Sequence, residues 1–174
     1  EGLLDHVYLR DIPINGSFGR MEGENGFFYF ASATPNSPNP AGFRRISHTP
    51  TSPTKDGVFN NVDSVTVELN GEGSIYYSLD GSLPNTRSQL YSGPFTVSES
   101  CVVRAIAVED GALPSRALTL SFILNENHSL PVISLVSDSP GRMNAVILSS
   151  NKRTEIPGCI SLYEGGESFT MNCG

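Results

Sequence analysis

Apolar and polar positions alternate with a period of two through the middle of the chain. Val65, Val67 and Leu69 are separated by Thr66 and Glu68, the pattern of a half-buried strand. Ile75, Tyr77 and Leu79 alternate with Ser74, Tyr76 and Ser78 and predict a second strand with the first set inward. A loop from Asp80 to Gln89, carrying Gly81 and Pro84, leads through Tyr91-Ser92-Gly93-Pro94 into the strand Phe95-Thr96-Val97. Cys101 to Val108 is apolar on both faces apart from Arg104. That suits a central strand with Val103, Ala105 and Ala107 toward the core. Asp110-Gly111 turns the chain, and Leu118, Leu120, Phe122 and Leu124 form a further alternating face.

Beyond Asn125-Glu126-Asn127-His128 the signals continue. Leu130 to Val136, with Pro131 just before it, reads as a strand, as do Ala145 to Leu148 and Cys159 to Tyr163. Gly165-Gly166 predicts a hairpin turn, with Glu167 to Met171 returning. Turn formers fall between strands roughly every ten residues, the spacing of an immunoglobulin-like sandwich. The expected fold class is therefore all-β, an immunoglobulin-like β-sandwich with additional flanking strands. No stretch reads as a long amphipathic helix, because proline or glycine recurs too often. Upstream lie the short apolar pieces Val7 to Leu9 and Phe27 to Phe30, joined by a turn-rich link from Gly16 to Arg20. Pro35, Pro38 and Pro40 then forbid helix and mark a linker or ordered coil, extended by Thr49 to Thr54. The expected divisions are 1–44, 45–125 and 126–174.

The 17 glycines and 12 prolines fit many short strands and loops. A net charge of −7 argues against nucleic acid, since the only adjacent basic pairs are Arg44-Arg45 and Lys152-Arg153. No apolar run approaches the ~20 residues of a membrane span. The chain opens at Glu1 without an apolar leader region and reads as a piece of a longer protein. Cys101 reads as a buried small hydrophobe, and a hairpin is the route by which Cys159 and Cys173 would meet. His6, His48 and His128 lie far apart with no ligand spacing and read as surface or linker residues; no metal and no cofactor is expected. Gly71-Glu72-Gly73, between two strands, is a turn rather than a phosphate cradle. No nucleophile elbow or glycine-rich phosphate loop occurs, and no catalytic residue is assigned.

Several separated pieces in order carry a resemblance: Ile75 to Pro84, then Leu90 to Pro94, then Val103 to Val108, then Leu113-Pro114-Ser115. Together they resemble the chitobiase/β-hexosaminidase C-terminal-like module, an immunoglobulin-like sandwich attached to secreted bacterial proteins. The usual loop of that family reads Asp-Gly-Ser-x-Pro-Thr; here Asn85 stands where Thr is common and Thr86 follows. The resemblance covers about residues 56–125. Phe18-Gly19-Arg20 with Tyr29 to Asn39 looks like the end of a lamin-tail-like domain. His128 to Leu135 with Ile156 to Tyr163 looks like the entry to a CotH-type spore-coat kinase domain, without that domain's catalytic lysine and aspartates.

The resemblance implies a non-catalytic accessory module of a secreted or cell-surface bacterial protein, spacing and orienting its neighbouring domains. Two alternatives stand beside it: a carbohydrate-binding module attached to an enzyme, and a fragment of a CotH-type kinase-like protein. The candidate ligand surface is Tyr76 and Tyr91 beside the polar loop residues Asp80, Asn85 and Arg87. Tyrosines there offer a flat face to a sugar ring and a hydroxyl to hydrogen-bond it, although the chain has no tryptophan. The partners expected are neighbouring domains, with carbohydrate or another surface protein as ligand.

Overall fold

The computed structural model of the chain describes residues 6–8, 12, 16–148 and 155–173. The chain forms two compact units. One comprises Glu1–Ile46 with Asp110–Leu113, the other Ser47–Glu109 with Pro114–Gly174.

In the first unit, β1 (Ser17–Gly19) pairs antiparallel with β2 (Phe28–Phe30), Phe18 opposite Tyr29. The segment read as a turn-rich link thus holds a strand. Phe18 drives this, its ring lying 4.6 Å from that of Tyr29. All three residues of β2 are buried. Phe43 exchanges backbone hydrogen bonds with Tyr29 at 2.8 and 2.9 Å, and the Arg44 guanidinium stacks 3.9 Å from the Phe28 ring centre.

The second unit is built on a five-stranded sheet. β3 (Gly57–Phe59) pairs parallel with β9 (Leu118–Leu124); β9 pairs antiparallel with β8 (Cys101–Val108), β8 with β5 (Ser74–Ser78), and β5 with β6 (Gln89–Leu90). Across the core lies a two-stranded sheet of β4 (Val65–Val67) and β7 (Phe95–Val97). Val67, Ile75, Tyr77, Val103, Ala105 and Phe122 meet between the two sheets, as the alternation requires. Leu79 departs from the expected pattern. β5 ends at Ser78, and Gly81 N then donates to Val102 O at 3.0 Å, leaving Leu79 exposed.

Residues 49–54 are an ordered coil rather than a loose linker. Thr51 and Asn70 exchange backbone hydrogen bonds at 2.8 Å, Ser52 Oγ donates to Glu68 O at 2.7 Å, and Pro50 is fully buried. Gly73, at φ 72°, lets the β4–β5 turn press onto β8. A Cβ there would stand 2.4 Å from Val108 O.

A third sheet covers part of the outer face of the five-stranded one. β10 (Val132–Ser137), β11 (Gly158–Glu164) and β12 (Glu167–Cys173) form an antiparallel meander. Gly165 and Gly166 make the β11–β12 turn at φ 60° and 84°, the left-handed pair a two-residue hairpin needs. The register sets Cys159 opposite Asn172, and Cys173 opposite Gly158. Between β10 and β11 runs α1 (Pro140–Leu148), where a strand was expected over Ala145 to Leu148. A short apolar run does not distinguish the two. Here Ser139 O accepts the backbone N–H groups of Arg142 and Met143, and Pro140 fits the first helical turn.

The third sheet docks through polar groups beside the buried Val136 and Cys159. Ser121 and Ser134 share a 2.7 Å Oγ–Oγ hydrogen bond. Tyr163 donates its hydroxyl to Asp56 Oδ2, which also accepts from Ser121 N at 3.2 Å. Arg104, the charge inside β8, is buried and places Nη1 2.6 Å from Asp138 Oδ1.

Removing one member of this ion pair costs more than removing both. Asp138→Ala strands a guanidinium that is 8% exposed and is expected to destabilise by about 3–5 kcal/mol. Arg104→Ala is expected to cost less, because Asp138 keeps 25% of its surface in water. Urea unfolding of the two variants checks the order.

Burial, reinforced by the Asp56 carboxylate, pushes the Tyr163 hydroxyl from 10.0 up to about 12. Its contribution to stability is therefore fully present below pH 10 and is lost as pH rises through about 12. Tyr163→Phe is expected to flatten that part of the alkaline stability curve, read by denaturant unfolding at stepped pH.

Candidate functional site

The loop between β5 and β6 holds most of the residues expected to form a ligand surface, and its polar groups are largely engaged within it. Asp80 Oδ1 accepts from Ser82 Oγ at 2.6 Å and from Ser82 N at 3.0 Å. Those hydrogen bonds, the side-chain one foremost, hold the Asp80 carboxyl below its usual range. Ser78 Oγ donates to Ser82 O at 2.6 Å. Asn85 Oδ1 accepts from Arg87 N at 2.9 Å, and Asn85 N donates to Ser88 Oγ at 3.0 Å. These are the local side-chain-to-backbone bonds that Asp, Asn and Ser make in turns. The Arg87 side chain is exposed.

The two tyrosines fall on opposite faces of the sheet. Tyr76 is half-buried on the outer face, paired with Leu90 on β6 and Ile106 on β8. Tyr91 lies on the inner face with Tyr77, their ring centres 6.4 Å apart, and also meets Phe95 at 6.3 Å. Its hydroxyl accepts from Leu69 N at 3.0 Å. Tyr91 therefore closes the edge of the core, and no single surface presents both rings.

A groove of about 800 Å³ lies in the second unit between β3 and the β10–β11 side of the third sheet. Lys55, Asp56, Phe59, His128, Tyr163 and Glu164 line it. Its chemistry is restrained. Asp56 is occupied by Tyr163 and Ser121 N, and Tyr163 is held neutral. His128 Nε2 pairs with Glu126 at 3.3 Å, and Glu126 accepts from Ser100 Oγ at 2.7 Å, which lowers its carboxyl. Among the described residues, no serine of this groove is hydrogen-bonded to a histidine, the pairing a nucleophilic hydroxyl needs.

A third constellation joins residues far apart in sequence. His48 follows the first residue of the second unit, Glu72 sits in the β4–β5 turn, and Glu109 follows β8. His48 Nδ1 lies 3.0 Å from Glu109 Oε1 and 3.9 Å from Glu72 Oε2. The backbone N–H of His48 also donates to Glu109 Oε1, at 2.7 Å, and Ser47 Oγ accepts from Glu109 N at 3.0 Å. Glu109 is buried while His48 and Glu72 are open to solvent. Separations of 24 and 37 residues carry no ligand motif, so sequence spacing left His48 as a linker residue.

Residues 54–119 match the family described as Chitobiase/beta-hexosaminidase C-terminal domain. No curated protein and no solved structure matches the chain. The match spans β3 to the first residues of β9, the greater part of the sandwich, and stops short of β1–β2 and the third sheet. Over those residues the chain is similar to a non-catalytic, immunoglobulin-like module found in glycosidases.

Proposed function

We propose that this chain is a non-catalytic accessory part of a larger secreted or cell-surface protein, spacing and orienting the domains beside it. The observation that carries this reading is how the β5–β6 loop spends its polar groups. Asp80, Asn85 and Ser82 hold the loop, and Tyr91 caps the core, where a binding loop would leave such groups facing a ligand. The family match over residues 54–119 supports the same reading. So does the coil at 49–54, pinned by hydrogen bonds as a spacer requires. The lamin-tail-like and CotH-type flanks belong to this proposal as the neighbours it would separate.

The outer face of the third sheet supports it as well. Ile133, Leu162 and Phe169 form one cross-strand row, and Leu135, Ile160 and Met171 another. Phe169 is 62% and Ile133 68% exposed. Apolar surface of this kind belongs against protein rather than water.

A carbohydrate-binding module is the second reading, favoured by Tyr76, which stands half-buried on the sheet's outer face. Screening the intact chain on a glycan array separates the two. The accessory reading expects no retention, and retention abolished by Tyr76→Ala would replace it. Tyr91→Ala is unsuited to this test because it removes core packing.

A rigid spacer also expects slow protease cleavage between residues 34 and 54. Rapid cutting there, followed by mass spectrometry, would make this stretch a hinge instead.

A further inference from the structure

We propose that His48, Glu72 and Glu109 form a divalent transition-metal site of the zinc class on the second unit. The three ligand atoms, one imidazole nitrogen and two carboxylate oxygens, all lie within 4.8 Å of one another. A tetrahedral zinc ion with bonds of about 2.0–2.2 Å sets its ligand atoms about 3.3 Å apart. The observed 3.0 and 3.9 Å separations from His48 Nδ1 straddle that value. Small rotations of exposed side chains would close the set, since His48 and Glu72 side chains are 75% and 78% exposed.

The backbone has already placed the hardest ligand. Glu109 is fixed beneath the site, its side chain 5% exposed, with Oε1 held by the backbone N–H of His48. Gly73 brings the turn carrying Glu72 down onto Val108 and Glu109, an approach that a side chain at position 73 would block. Three unconnected segments therefore converge on one point.

The electrostatics favour a cation. Two carboxylates face a single imidazole, and among the described residues Glu72 has no lysine or arginine within ion-pair distance. Nitrogen with carboxylate oxygen is a donor set for zinc and its neighbours rather than for calcium, which takes oxygen alone. Solvent reaches the outer side, so water would complete the coordination. On binding, the imidazole takes the Nε2–H tautomer, any Nδ1 proton passing to water, and the Nδ1 lone pair turns to the metal. The ion would tie the start of the buried Pro50 coil to the β4–β5 turn and the end of β8, acting as a structural clamp. This inference is independent of the accessory reading.

The test uses the intact chain, stripped with chelator and titrated with zinc chloride in a calorimeter, and with cobalt chloride under visible absorption. One ion per chain is expected, with a tetrahedral cobalt band and a zinc-dependent rise in melting temperature. His48→Ala and Glu72→Gln change exposed side chains, and circular dichroism verifies their fold. Each is expected to weaken binding by more than the ~10–100-fold that losing an outer partner of a metal ligand costs. Absence of saturable binding by the wild-type chain would overturn the proposal. So would wild-type affinity retained by both variants, which would place the ion on other groups such as Cys101 or His128.

Discussion

Strand β8 must be satisfied on both faces at once, and the rest of the second unit is arranged to do so. Toward the core, Val103, Ala105 and Ala107 meet Ile75, Tyr77 and Phe122. Small residues at 105 and 107 let the facing aromatic side chains approach without voids. On the other side Arg104 is buried among neighbours that cannot hydrate it, and Asp138 beyond β10 supplies the opposite charge. A lone cation in that position would carry a desolvation cost of several kcal/mol, of the order known for buried ions. The third sheet is thus part of how the central strand is completed.

The same strand organises its two ends. Near its start, Val102 O accepts from Gly81 N and fixes the loop after β5. Past its end, Glu109 turns inward and gathers Ser47 and His48. Loop and turn geometry therefore derive from one buried ladder, with hydrogen bonds costly to leave unmade. Polar residues that resemble a binding loop in sequence are consumed by this task.

The third sheet shows a division of labour between its faces. Ser134 and Tyr163 point toward the sandwich and are hydrogen-bonded there to Ser121 and Asp56, beside the buried Val136 and Cys159. Ile133, Leu162 and Phe169 point away. The inner face thus mixes hydroxyls with apolar side chains, while the outer rows depart from the usual antiparallel pattern of polar residues facing out. The Ser134 and Tyr163 hydroxyls give this docking register and direction, since each has a partner in place on the sandwich. The apolar outer rows leave surface whose burial would add roughly 25 cal/mol per Å² to contact with adjoining protein.

Period-two alternation in the sequence determined β4, β5 and β9, and a continuous apolar run determined β8, with the core-facing set on each apart from Leu79, because a strand's side chains point to alternate faces whatever else surrounds it. Local chemistry also determined the Gly165-Gly166 hairpin and the turn at residues 71–73. Only the tertiary structure decided the helix at 140–148, since an apolar run that short suits either state until its carbonyl partners are fixed. It alone decided that Tyr76 and Tyr91 part company, because β6 sets the register of Tyr91 after a loop whose length does not fix it. The meeting of His48, Glu72 and Glu109 likewise depended on folding. Residues 24 and 37 apart approach only when the entry coil, a turn and a strand end pack together, and no local pattern encodes that distance.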